Sequence, residues 1–83
     1  MNKPKTLEYL GWEFTNQQDG ELCYERQLYE DGLATELQNV DIGKSVAFLR
    51  QFDEDMGLTT VVLSQDDLLA IAEKMKELGM TNE

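Results

Sequence analysis

Along the first two thirds of this chain apolar and polar residues alternate with a period of two, and near the C-terminus the period lengthens to that of a helix. Trp12 and Phe14 alternate with Glu13 and Thr15; Leu22, Tyr24 and Leu28 with Glu25 and Gln27; Val46, Phe48 and Phe52 with Ser45 and Gln51. Each run predicts a strand with one apolar and one mostly polar face. Between them lie Asn16-Gln17-Gln18-Asp19-Gly20, Glu30-Asp31-Gly32, Asp41-Ile42-Gly43-Lys44 and Asp53-Glu54-Asp55-Met56-Gly57. Each joins an acid to a glycine, the residues that supply side-chain bonds to turn amides and positive φ. Turns at this spacing predict a meander of antiparallel strands. The Leu58 to Leu63 run, rich in threonine and valine, predicts a further strand buried on both faces or central in the sheet.

The alternation breaks at specific positions. Arg26 and Arg50 fall in phase with the apolar residues of their strands, so each must reach past the core edge or pair with an acid, and edge positions are favoured. Cys23, Tyr29, Ala47 and Leu49 fall out of phase, which bulges or a partly covered second face would explain.

Three signals coincide at the start of the C-terminal helix. Ser64 caps it, Asp67 stands in the third helical position of a capping box, and Leu63 can pack on Leu68 as a hydrophobic staple. Leu68, Leu69, Ile71, Ala72, Met75 and Leu78 then form an apolar stripe, and Gly79 is placed to end the helix, giving Gln65 to Leu78. Asp66 and Asp67 suit the positive helix start, and Lys74 and Lys76 lie nearer the negative end. Near the N-terminus, Thr6 can cap one helical turn from Leu7 to Leu10 closed by Gly11, or Leu10, Trp12 and Phe14 can form one strand face. Glycine's frequency just past helix ends favours the turn.

The elements assemble into an α+β fold: an antiparallel meander of four to five strands with one face covered by the C-terminal helix. The expected core is Trp12, Phe14, Leu22, Tyr24, Leu37, Val46, Phe48, Val62, Leu68, Ile71, Ala72, Met75 and Leu78. At 83 residues the chain is one domain, residues 1–83, with flexible ends expected at 1–5 and 80–83. A hydrophobic content of 41% with one tryptophan, three tyrosines and three phenylalanines is that of a folded globule rather than a disordered acidic chain.

Charge changes the functional picture most. Seventeen acids face seven bases, a net charge of −10, and Glu8 to Asp67 alone holds fourteen acids against three bases. Such a field repels phosphate backbones and anionic lipid, so direct nucleic-acid binding is not expected. No apolar run follows Lys3 and Lys5 as a secretion signal requires, and no stretch reaches membrane-spanning length. With the single Cys23 excluding an internal disulfide framework, the expected location is the cytoplasm.

The inventory also narrows the chemistry. There is no histidine, so no Ser-His or Cys-His pair and no ordinary zinc site can be assembled within the chain. Cys23 stands beside Glu25 with no adjacent base and is expected to pack rather than react. Asp53-Glu54-Asp55-Met56-Gly57 departs from a calcium loop, with glycine at the fifth position instead of the sixth and Ser64 where a glutamate is required. No catalytic residue, no metal ligand and no cofactor is expected, and the protein is expected not to be an enzyme.

The Leu10-Gly11-Trp12 triplet, the short strands with acidic turns, and the closing Leu68-Leu69-Ala70-Ile71-Ala72-Glu73-Lys74-Met75-Lys76-Glu77-Leu78-Gly79 segment resemble small uncharacterised proteins of phages and Gram-positive bacteria. The resemblance implies no activity and favours a phage-linked accessory role. The function expected from the residues is protein binding through the exposed sheet face or an edge, to a partner or to a second copy as a homodimer. The alternative is an inhibitor of a basic protein that mimics nucleic acid or acts as an immunity protein. The candidate contact residues are Glu30, Asp31, Asp53, Glu54 and Asp55 in the turns, with Tyr29 beside them.

Overall fold

A computed structural model describes residues 4–53, 55 and 57–81. Five antiparallel strands run in sequence order, β1 (Glu13–Gln18), β2 (Glu21–Glu30), β3 (Leu33–Ile42), β4 (Ala47–Asp53) and β5 (Gly57–Leu58), followed by α1 (Gln65–Thr81). This is the expected α+β meander with a C-terminal helix. Asp19-Gly20 and Asp31-Gly32 form its first two turns, with φ of 52° and 80° in each pair. Positive φ at both central residues matches the right-handed twist of a hairpin, and aspartate and glycine are the pair that tolerate it.

The favoured reading of the N-terminus holds. The Tyr9 amide donates to Thr6 Oγ1 at 3.1 Å, the Leu10 amide to the Thr6 carbonyl at 3.2 Å, and Gly11 closes the turn with φ 95°. This turn drives Leu7 and Trp12 into the core, where they join Tyr24, Val40, Ile42, Ala70 and Ile71. Full burial of an aliphatic or aromatic side chain contributes about 2 kcal/mol, so Trp12, Leu7, Ile42 and Val40 supply much of the drive to fold.

Two strands depart from the expected phase. On β4 the residues facing α1 are Ala47, Leu49 and Gln51, while Phe48, Arg50 and Phe52 occupy the opposite face. The reason lies in the preceding turn. Gly43 donates to the Val46 carbonyl at 2.8 Å and sets Ile42 opposite Ala47, so Leu49 must join Val40 and Gln51 must join Gln38. A one-residue change of register exchanges the two faces of a strand. The anticipated strand from Leu58 to Leu63 is only Gly57–Leu58 and lies at the edge beside β4, neither central nor covered on both faces. Bulges do occur, but elsewhere. Thr15 is the extra residue of β1, with its hydroxyl donating to the Cys23 carbonyl at 3.0 Å. Thr35 and Glu36 oppose the single Leu28.

The helix begins as read. The Asp67 amide donates to Ser64 Oγ at 3.1 Å and the Ser64 amide to Asp67 Oδ2 at 2.9 Å, the reciprocal bonds of a capping box. It does not end at Gly79 but continues through it to Thr81. Its inward stripe is Asp67, Ala70, Ile71, Met75 and Leu78, whereas Leu68, Leu69 and Ala72 face outward. Phe14, Val46, Phe48 and Val62 are likewise exposed instead of forming the core, and Leu37 is half-buried on the far face. Of the expected flexible ends, Lys5 pairs with Asp66 at 3.1 Å and Met80 is helical, while residues 1–3 and 82–83 lie outside the described residues. Among the described residues, no helix is long and apolar enough to cross a membrane.

Candidate functional site

Polar side chains hold the covered side of the sheet together. Arg26 on β2 donates from Nη1 and Nη2 to the two carboxylate oxygens of Asp67 at 2.8 and 3.0 Å, and from Nε to Gln38 Oε1 at 2.9 Å. The Trp12 indole N–H also donates to Asp67 at 3.2 Å, and its ring lies 4.4 Å from the guanidinium carbon. Gln38 donates to Gln51 and to the Val62 carbonyl, Gln51 accepts from the Val62 amide and donates to Glu36. The two glutamines thus satisfy the backbone of a segment that has left the sheet. Burial pushes the Asp67 carboxyl up, but the hydrogen bonds from Arg26, the Ser64 amide and Trp12, with the Arg26 charge, outweigh it and lower it to about 2. Asp67 is therefore a fixed anion at neutral pH rather than a proton donor. Among the described residues, no buried side-chain nitrogen or oxygen lacks a partner, so this network is a structural one with no group left over for a ligand.

The opposite face has no covering element among the described residues, and its side chains fall into three rows across the strands. Asn16, Cys23, Asp41 and Phe48 form one row, and Glu13, Glu25, Asn39 and Arg50 the next. Gln27, Leu37, Phe52 and Leu58 form the third. The third row is apolar over three adjacent strands. Phe48 and Leu58 are 56% and 67% exposed. Arg50 is held by Asp41 at 2.9 Å, whereas Glu13 and Glu25 stand directly opposite one another and enter no ion pair among the described residues. Two carboxylates in register repel.

Tyr29 lies two residues beyond Gln27 on β2 and is 68% exposed. A hollow of about 260 Å³ is lined by Glu13, Glu25, Gln27, Tyr29 and Leu37 among others. A second, more polar hollow of about 450 Å³ lies over Asn16, Cys23, Asn39, Asp41 and Arg50. There the Cys23 thiol is pushed up, by burial first and then by the hydrogen bond and charge of Asp41, which favours the unreactive thiol form. Among the described residues, no three His, Cys, Asp or Glu side chains are grouped to hold a metal ion.

The acidic turn residues gather at one end of the sheet. Glu30 and Asp31 sit at the tip of the β2–β3 hairpin, and Asp53 and Asp55 at the β4–β5 turn, where the Asp55 amide donates to Asp53 Oδ1 at 2.8 Å. Because Glu36 opposes Asp53, the β2–β3 tip extends roughly 10 Å further, three residues at a strand's rise. Glu54 lies outside the described residues. Of the sequence candidates among the described residues, Tyr29 lines the first hollow, and Asp53 lines a further one of about 220 Å³ with Gln27, Leu37 and Phe52. Leu37, Phe52, Leu58, Glu13 and Glu25 were legible as strand residues, but their shared face depends on the register that the Gly43 turn and the Thr15 bulge impose. No family model, no curated protein and no solved structure matches the chain.

Proposed function

We propose that this protein is a non-enzymatic interaction module of the cytoplasm, holding a protein partner or a second copy of itself through the uncovered face of its sheet. The observation that carries the reading is the apolar row of Leu37, Phe52 and Leu58, with the exposed Tyr29 just beyond it and the exposed Phe48 on the same face two rows away. Aromatic and aliphatic side chains grouped on one open face are characteristic of binding surfaces. The phage-linked accessory role belongs with this proposal. The test substitutes Phe48→Ser together with Leu58→Ser and compares the variant with Leu69→Ser on the outer surface of α1. Light scattering over a concentration series and affinity capture from the host read the result. Loss of the dimer or of the captured partner in the sheet variant alone supports the reading, and retention by that variant overturns it.

A second reading has its own supporting observation, the clustering of Glu30, Asp31, Asp53 and Asp55 at one end of the sheet. Glu30, Asp31 and Asp55 enter no ion pair among the described residues. Carboxylates projecting from one end suit an inhibitor that presents charge to a basic cleft, as a nucleic-acid mimic or an immunity protein does. In that case Glu30→Lys with Asp55→Lys abolishes capture of the partner while the Phe48 and Leu58 substitutions leave it intact. The opposite pattern removes this reading.

A further inference from the structure

We infer that the uncovered sheet face docks a basic amphipathic segment of a partner protein, its apolar side chains on Leu37, Phe52 and Leu58 and a lysine or arginine between Tyr29 and the Glu13–Glu25 pair. This rests on the reading of the face as an interaction surface and adds the chemistry of the occupant. Three observations select a cation. Glu13 and Glu25 are in direct cross-strand register on the same face, an arrangement that costs stability until a positive charge is placed between them. Among the described residues no ion pair brings a lysine or arginine to either glutamate, and Lys5, Arg26, Arg50 and Lys74 are each paired with another acid. The hollow beside the pair is lined by Gln27, Leu37 and Tyr29 together with Gly11 and Arg26, whose charge is already engaged by Asp67, surroundings that accept an aliphatic stem and place an aromatic residue near an ammonium or guanidinium head.

The apolar row lies only two residues further along the strands, about 7 Å away, so one short segment reaches both. Charge complementarity also argues against the other occupants. A second copy of this chain would bring another net charge of −10 to an already acidic face, and a nucleic acid would bring phosphates.

The experiment records amide spectra of the isotope-labelled protein titrated with an amphipathic leucine–lysine helical peptide and with a leucine–serine peptide of the same pattern. Binding of the lysine peptide is expected to shift Tyr29, Leu37, Phe52 and Leu58, and to weaken with added salt. Glu13→Gln with Glu25→Gln is expected to weaken it about tenfold, while Glu30→Gln with Asp31→Asn, which removes equal charge at the hairpin tip, changes it less than about twofold. Equal weakening by the two double variants overturns the inference, since general charge then explains binding. So do shifts confined to the outer surface of α1, or no shift on the sheet face. If the serine peptide binds the face as tightly as the lysine peptide, the choice of a cation is wrong while the face stands as an interaction surface. Loss of that broader reading shows separately, as unchanged capture by the Phe48 and Leu58 variant.

Discussion

Arg26 and Asp67 join the second strand to the first turn of the helix through two parallel hydrogen bonds of 2.8 and 3.0 Å, with Asp67 only 3% exposed. A buried pair of this kind gains little over an apolar pair of the same shape, because both charges must lose their water. Breaking it is a different matter. Arg26 also serves Gln38 and the Leu10 carbonyl, so its guanidinium organises the strand, the N-terminal turn and the helix start together.

Arg26→Met is therefore expected to destabilise the domain by about 3 kcal/mol, since Asp67 keeps the Ser64 and Trp12 bonds but loses its countercharge. Urea denaturation measures this directly. A variant within about 1 kcal/mol of the parent would show that the pair is dispensable.

Acid should loosen the same contact. The folded Asp67 carboxyl lies at about 2, below its ordinary value of 3.8, so its contribution is fully present above about pH 4 and is lost as pH falls through 2. The shift corresponds to about 2 kcal/mol. Melts taken between those limits should show the loss in the parent, and Asp67→Asn should flatten this part of the profile. An equally steep decline in the Asn variant would assign acid sensitivity to other carboxylates.

Gln51 accepts from the Val62 amide at 3.0 Å and from Gln38 at 2.8 Å, and so stands in for the strand partner that the segment after β5 lacks. Gln51→Leu leaves the Val62 amide without that acceptor, at a cost of about 2 kcal/mol. Hydrogen exchange should quicken at Val62 before it quickens in β2 and β3. Uniform exchange across these sites would mean that the glutamine does not anchor the segment.

The elements of this fold were legible because they are locally encoded. Asp19-Gly20 and Asp31-Gly32 announce hairpins, and Ser64 with Asp67 announces a helix start, whatever lies around them. The faces were not, because they depend on register. Val46-Ala47-Phe48-Leu49 offers apolar side chains to both sides of a strand, and only the turn at Gly43 decides that Leu49 goes inward and Phe48 outward. Arg26 illustrates the same limit. An arginine in phase with a core suggests an edge, and the acid that draws it inward stands forty-one residues away. The candidate surface is built from these long-range choices, so of the residues named from sequence only Tyr29 and Asp53, among those described, line hollows beside its apolar row.

The helix permits a sharp test of the packing. Ile71 and Leu68 share one stripe in the sequence pattern, yet Ile71 is 5% exposed against Val40 and Ile42 in the core cluster while Leu68 is 54% exposed. Asp67 takes the inward seat in the first turn because Arg26 and Trp12 hold it there, which rotates Leu68 outward. Ile71→Asp would place an unpaired charge in the core and should cost about 4 kcal/mol, a large part of what a domain of this size possesses. Leu68→Asp adds a carboxylate to the positive end of the helix in solvent and should change stability by less than about 1 kcal/mol. Thermal melts of the two variants decide the matter. Equal destabilisation would mean that both positions are covered and that α1 is turned differently on the sheet.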